Sequence, residues 1–187
     1  MKVHTLILAA LIGTVVVANC APRRTASSIE LSVCPPTDAP GSSWSDVAAG
    51  GVNFALPPGY RPIELRGIDS YVRGYTSSDG SSEVRLNSGW YSNSLRYDPD
   101  IYVEYQTCIE VIAGRRATIV IAMLRAASES NRPHVVAAAW RDVYSSPTPV
   151  HVTIWTTTRR ASDRDQLLQI IRTTRIPNSV DDTRNEY

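Results

Sequence analysis

Alternation of apolar and polar residues is the dominant pattern of the chain, and it is clearest near the C-terminal end. Val150, Val152 and Ile154 alternate with polar residues, a period of two that predicts a strand over residues 150–157. Segments with similar alternation or β-branched content predict further strands at residues 52–56, 70–76, 83–90, 101–112, 116–124 and 134–140. The segment 116–124 is almost continuously apolar, so we expect it inside the sheet with both faces covered.

An amphipathic helix is predicted directly after the last strand. Ser162 and Asp165 have the S-x-x-D spacing of a capping box, which predicts that Ser162 is the N-cap residue. An apolar stripe follows at helical spacing and would face the sheet. Pro177 then ends the element, because proline cannot continue a helix. The stripe consists of Leu167, Leu168, Ile170 and Ile171.

The order of these elements predicts an α+β fold, a mostly antiparallel meandering sheet with one C-terminal helix packed across a face. A single domain is expected over residues 52–177. Residues 20–51 are rich in Pro, Ser, Ala, Thr and Gly, a composition that predicts a flexible tether. Residues 178–187 are predicted to be a polar tail.

The leader, residues 1–19, predicts export. Lys2 gives it a short positive start, and the apolar run from Leu6 to Ala18 is too short to span a bilayer comfortably. The sequence Val-Ala-Asn-Cys that ends at Cys20 resembles the bacterial lipobox, although Asn19 stands where glycine or alanine is usual. The resemblance implies that Cys20 is lipidated and anchors the protein in the cell envelope. The alternative is ordinary signal cleavage nearby, which would give a soluble secreted protein.

Charge and cysteine content narrow the picture further. The chain has 19 basic and 18 acidic residues, and loss of the leader removes one lysine and leaves no net charge. A neutral protein lacks the positive footprint of non-specific nucleic-acid binding, so we expect no nucleic-acid partner.

If Cys20 carries lipid, Cys34 and Cys108 remain as an even pair, and in an exported protein they are predicted to form a disulfide. The alternative is two unpaired thiols.

The layout also resembles the PsbP-like fold, named after an extrinsic subunit of photosystem II. The resemblance covers about two thirds of the chain, is a likeness of pattern, and brings no catalytic residues with it. It implies accessory or binding work within larger assemblies. The residues that carry it are Val52–Tyr60 (VNFALPPGY), the hairpin around Gly114–Ala117, and the final strand with Leu167–Ile176.

The sequence offers little evidence for catalysis, a cofactor or a metal site. It contains neither a G-x-S-x-G nor an H-E-x-x-H motif. His134 and His151 are both on predicted strands and would be close only if those strands pair suitably, and without a third ligand they predict no metal site. We expect no cofactor and no enzymatic activity.

Two functional hypotheses follow from these observations. The first is a non-enzymatic envelope lipoprotein, held at the membrane by its N-terminal lipid, that binds an envelope protein or another envelope component. The second is a periplasmic small-molecule binder or hydrolase that uses the aromatic-rich first half of the sheet. The candidate binding surface consists of Tyr71, Arg73, Tyr75 and Trp90. Ordinary cross-strand packing would explain the same four residues without any ligand.

Overall fold

Ten strands and one α-helix make up the described part of the protein. The computed structural model describes residues 27–31, 33–90, 92, 95–125, 131–144 and 150–177. The strands are Ser27–Glu30 (β1), Ser45–Ala49 (β2), Val52–Leu56 (β3), Arg61–Ile63 (β4), Tyr71–Thr76 (β5), Ser82–Gly89 (β6), Tyr102–Ile112 (β7), Arg115–Leu124 (β8), His134–Tyr144 (β9) and Val150–Thr158 (β10). The helix α1 is Arg164–Arg172, preceded by a 3-10 turn at Ala161–Asp163.

Eight of the described strands form one sheet, in the order β1-β7-β8-β9-β10-β6-β5-β4. All neighbours in it are antiparallel except β1 and β7, which are parallel. The sheet thus consists of two meanders, β4 to β6 and β7 to β10, which meet where β10 pairs with β6. All seven predicted strands are present, and the predicted α+β architecture is confirmed. The apolar strand β8 lies inside the sheet, as expected.

Helix α1 and a small two-stranded sheet, β2 and β3, together cover one face of the main sheet. The apolar stripe of α1 is buried there, with Leu167, Ile170 and Ile171 fully enclosed. The end of the helix is tied to β3, because the Ala55 N–H donates to Thr173 Oγ1 at 2.8 Å. Facing them from the sheet are buried residues of β6, β8, β9 and β10, namely Val84, Leu86, Ala117, Ile119, Val136, Ala138, Trp140, Val152 and Ile154.

The opposite face of the main sheet, here called the outer face, has a smaller apolar cluster. Leu95, in the connection from β6 to β7, packs with Tyr102 and Tyr105 of β7 over alanines and valines of β8 and β9. The Tyr105 hydroxyl donates to the Leu95 carbonyl, and burial raises the pKa of Tyr105 to about 12. This connection therefore covers one part of the outer face and leaves other parts of it exposed.

The start of the helix differs from the predicted capping box. The N-cap residue is Asp163, not Ser162, and no side chain caps the first turn. Asp163 has other partners, since its carboxylate accepts from the Thr158 hydroxyl at 2.9 Å and from the Ser162 hydroxyl at 3.2 Å. Its side chain therefore connects the start of the helix to the end of β10 instead of bonding to the helix backbone.

The segment predicted as a flexible tether, residues 20–51, contains two strands. β1 pairs with β7 from Ser27 opposite Glu104 onward, and β2 forms a hairpin with β3. The sequence gives little signal for either strand because β1 is only four residues long and β2 has few large side chains. Of the predicted tether, residues 20–26 precede β1. They lie outside the described residues, as do the leader and the predicted tail from residue 178.

Truncating the buried stripe of α1 should destabilise the protein strongly. We expect Ile171→Ala to lower the free energy of unfolding by about 2–5 kcal/mol, since it removes methyl and methylene groups from a fully buried site. Gln166→Ala, on the exposed side of the same helix, should change it by no more than about 0.5 kcal/mol. Urea denaturation of both variants measures the difference, and equal stability would contradict the packing of the helix on the sheet.

Candidate functional site

Arg172, the last residue of α1, connects three separate parts of the fold. Its Nε and Nη2 donate to the Glu110 carboxylate of β7 at 2.9 and 2.8 Å. Its Nη1 donates to Thr37 Oγ1 and its Nη2 also donates to the Pro35 carbonyl, each at 2.7 Å. The guanidinium thus fixes the segment after Cys34 against both the helix and the sheet, in a planar arrangement that lysine cannot reproduce.

A disulfide holds the same segment two residues before Pro36. The predicted pair, Cys34 and Cys108, is bonded, with a Cα–Cα distance of 5.3 Å. Cys108 lies two residues before Glu110 on β7, so both side chains point to the same side of the strand. A covalent bond and the Arg172 hydrogen bonds therefore hold the chain between Cys34 and Thr37 from both ends.

The fixed segment forms one wall of an open groove of about 680 Å³. The end of α1 and the three residues after it form the other wall. Thr174 is 3% exposed, and its hydroxyl has no hydrogen-bond partner in the described structure. A buried hydroxyl without a partner costs free energy, and this one is enclosed and not open to the groove. The lining residues are Pro36, Thr37, Asp38, Ala39, Pro40, Gln169, Arg172, Thr173, Thr174 and Arg175.

The charges around the groove favour recognition of a polar partner. Both arginines in its lining are already paired, Arg172 with Glu110 and Arg175 with Asp46 at 3.1 Å. Asp38 is exposed and Gln169 is partly exposed, and both line the groove, so each can hydrogen bond to an incoming group. The lining includes no histidine or cysteine that could activate a nucleophile. This groove is suited to binding.

Three of the four residues of the predicted aromatic surface, Tyr71, Arg73 and Tyr75, share one face of β5. Tyr75 is only 7% exposed and packs edge-to-face on Phe54 at 5.9 Å, so it belongs to the core. Arg73 lies over the Tyr75 ring, and Tyr71 lies close to Gly50 at the β2–β3 turn. Trp90 is elsewhere, beside His151 at 6.3 Å between ring centroids.

A buried ionic cluster that the sequence did not indicate lies on the outer face. The Glu83 carboxylate accepts from Arg132 on one oxygen and from Arg85 on the other. Glu83 and Arg132 are nearly inaccessible, whereas Arg85 is half exposed. Arg132 also donates to the Gly80 carbonyl at 3.1 Å, which ties the β8–β9 connection to the β5–β6 turn. The cluster is a structural tie between loops at one end of the sheet.

The two histidines on strands lie far apart. β9 and β10 do pair, but the register places His134 opposite Thr158, at the far end of β10 from His151. Burial and the adjacent Arg164, whose Nη2 is 3.0 Å from Nδ1, lower the pKa of His134. Within the described residues no three His, Cys, Asp or Glu side chains are arranged to hold a metal ion.

Comparison with solved structures gives weak likenesses of fold. No protein-family model matches the chain, and no curated protein sequence matches it significantly. The Ran-binding protein Mog1p of Saccharomyces cerevisiae is 11% identical, with a TM-score of 0.43 over 71% of this chain and 95% of that chain. A protein of Bacteroides thetaiotaomicron is 11% identical, with a TM-score of 0.41 over 68% of this chain and 45% of that longer chain. At TM-scores this low, neither likeness has a bearing on function.

The described helices are too short or too polar to cross a bilayer.

Proposed function

We propose that this protein is an exported, lipid-anchored component of a bacterial cell envelope that binds another envelope component and catalyses no reaction. In this proposal Cys20 carries the lipid, and the body that follows is a PsbP-like sandwich. Soluble secretion after cleavage near Cys20 is the alternative fate of the chain.

The observation that carries the proposal is the Cys34–Cys108 disulfide. Disulfides persist in oxidising compartments such as the periplasm and are rare in the cytosol. The chain has three cysteines, so the bond leaves Cys20 as the remaining one, at the end of an apolar leader. A cysteine near the N-terminus that takes no part in the disulfide is available for acylation, and this supports lipid attachment at Cys20.

The binding role in the proposal is assigned to the groove beside Arg172. Its walls are fixed by a disulfide and by the Arg172 hydrogen bonds, so little conformational entropy is lost when a partner binds. The exposed Asp38 carboxylate supplies a polar contact. The alternative, a small-molecule site among the aromatic residues, has less support because Tyr75 is buried and Trp90 lies away from it.

Membrane attachment through Cys20 can be tested by fractionation. We expect the natural chain to stay with the membranes after a high-salt wash, whereas Cys20→Ala should appear in the soluble fraction. The salt wash removes proteins that are held by charge alone. A natural chain that is fully released by salt, or a Cys20→Ala chain that remains bound, would contradict lipid anchoring.

Binding through the groove can be tested by capture from detergent-solubilised membranes. We expect Asp38→Arg to reduce recovery of the partner about tenfold, because it places an uncompensated positive charge in the groove. Asp69→Arg makes the same charge change at an exposed position outside the groove and serves as the control. Equal recovery by both variants would contradict the groove as the binding site. A hydrolytic activity abolished by one polar substitution would contradict the non-enzymatic role.

A further inference from the structure

Two apolar side chains of β7 point into solvent from the outer face. Ile109 is 52% exposed and Val111 is 67% exposed, whereas the alternate residues Cys108 and Ile112 are buried toward the helix. Among the described residues of the β6–β7 connection, Leu95 and Tyr97 pack at the other end of β7. Neighbouring exposed β-branched residues are unusual on a sheet face unless something covers them. They form, with three polar neighbours, what we call the β7–β8 patch: Ile109, Val111, Arg116, Thr118 and Arg141.

Arg116 and Arg141 bring two positive charges to the same patch. The register pairs Val111 with Arg116. Arg116 and Arg141 follow one residue beyond the paired Ala117 and Trp140, so they lie side by side on β8 and β9. Like charges on adjacent strands repel. Both are exposed, and neither forms an ion pair with any described residue. Two exposed arginines side by side form an arrangement that an anion would bridge.

We propose that the β7–β8 patch rests on the anionic phospholipid surface of the membrane that holds the lipid anchor. Ile109 and Val111 would enter the boundary between headgroups and acyl chains, and the two arginines would pair with lipid phosphates. Combined apolar and basic side chains on one exposed face are the chemistry that an anionic lipid surface recognises. This inference rests on the proposed lipid anchoring at Cys20.

The length of chain between the anchor and β1 is compatible with this contact. β1 begins at Ser27, opposite Glu104 of β7. Ile109 is five residues further along β7, at about 17 Å for an extended strand. Residues 20–26 reach at most roughly 25 Å when fully extended, so a lipid at Cys20 and the patch can contact the same bilayer. A tether this short also keeps the body close to the membrane surface.

Vesicle binding of the exported Cys20→Ala chain, which has no acyl group, tests the patch by itself. The probes are vesicles of phosphatidylcholine alone and vesicles that also contain phosphatidylglycerol. We expect binding only to the anionic vesicles, weakening as salt is added. The double substitution Arg116→Gln with Arg141→Gln should lower the affinity for anionic vesicles roughly 30-fold, because each arginine near an anionic surface contributes about 1 kcal/mol of binding free energy. Ile109→Ser with Val111→Ser should weaken it at constant charge.

Matched controls exist elsewhere on the surface. Arg61→Gln with Arg66→Gln removes two exposed arginines, and Ile68→Ser removes an isoleucine that is fully exposed. Both should bind as the parent does. Equal binding to both kinds of vesicle would overturn the inference, and so would vesicle binding that the patch substitutions leave unchanged. Patch substitutions that abolish capture of a protein partner, in a chain that binds no vesicles, would also overturn it. The experiments distinguish failure of the two proposals. If the natural chain is acylated but the Cys20→Ala chain does not bind anionic vesicles, only the inference about the patch fails. If the natural chain is not acylated but the Cys20→Ala chain binds anionic vesicles, only lipid anchoring fails.

Discussion

Replacing both Cys34 and Cys108 by alanine should lower the free energy of unfolding by about 4 kcal/mol. The two cysteines are 74 residues apart, so the bond closes a long loop and restricts the unfolded chain strongly. It also joins the segment after β1 to β7, at the point where that segment begins to form a wall of the groove. The loss should therefore affect binding as well as stability.

Urea denaturation in a Cys20→Ala background measures this loss without a third thiol. The oxidised parent should unfold at a clearly higher urea concentration than the double alanine variant. The reduced parent should unfold close to the double variant, which separates loss of the bond from loss of side-chain packing. If the free energies of unfolding of the oxidised and reduced parent differ by less than about 1 kcal/mol, the disulfide restricts the unfolded chain little, contrary to this expectation.

Glu83→Ala should be nearly as damaging, with a loss of about 3–5 kcal/mol. The substitution leaves the Arg132 guanidinium buried without its carboxylate, since the Arg132 side chain is only 9% exposed. Arg85, the other partner of Glu83, is 51% exposed and can turn to solvent, so the cost comes mainly from Arg132. Thermal or urea unfolding of the variant measures the effect.

A double substitution distinguishes an uncompensated charge from simple loss of packing. Glu83→Leu with Arg132→Met removes both charges and keeps most of the volume, so it should recover most of the lost stability. Glu64→Ala removes a carboxylate that is 87% exposed and should change stability by no more than about 0.5 kcal/mol. If the double variant is as unstable as Glu83→Ala, the buried ion pair is not the cause.

Features that repeat along the chain could be predicted from the sequence. The predicted bounds of strands with period-two alternation, such as β3 and β10, are nearly correct because their alternating apolar residues face the core. The helix followed from the spacing of Leu167 to Ile171, and all four apolar residues of the stripe are buried. The disulfide followed from counting cysteines, since an exported chain with a lipidated Cys20 leaves an even pair.

Features that depend on a partner distant in sequence could not be predicted. Arg172 donates hydrogen bonds to Thr37 and Glu110, and Arg132 donates one to Glu83. These partners are so far apart in sequence that no local pattern reveals the contacts. β1 exists because β7 offers an edge to pair with, not because of its own composition. Ser162 is not the N-cap residue because it lies within the 3-10 turn Ala161–Asp163 that precedes the helix. The groove is built from such contacts, so no local pattern of the sequence indicates it.

The most direct test of lipid anchoring is the intact mass of the protein recovered from membranes. We expect a chain that begins at Cys20, carries the mass of an acyl modification, and lacks the thiol hydrogens of Cys34 and Cys108. A mass that corresponds to an unmodified N-terminus, or to two free thiols, would contradict it.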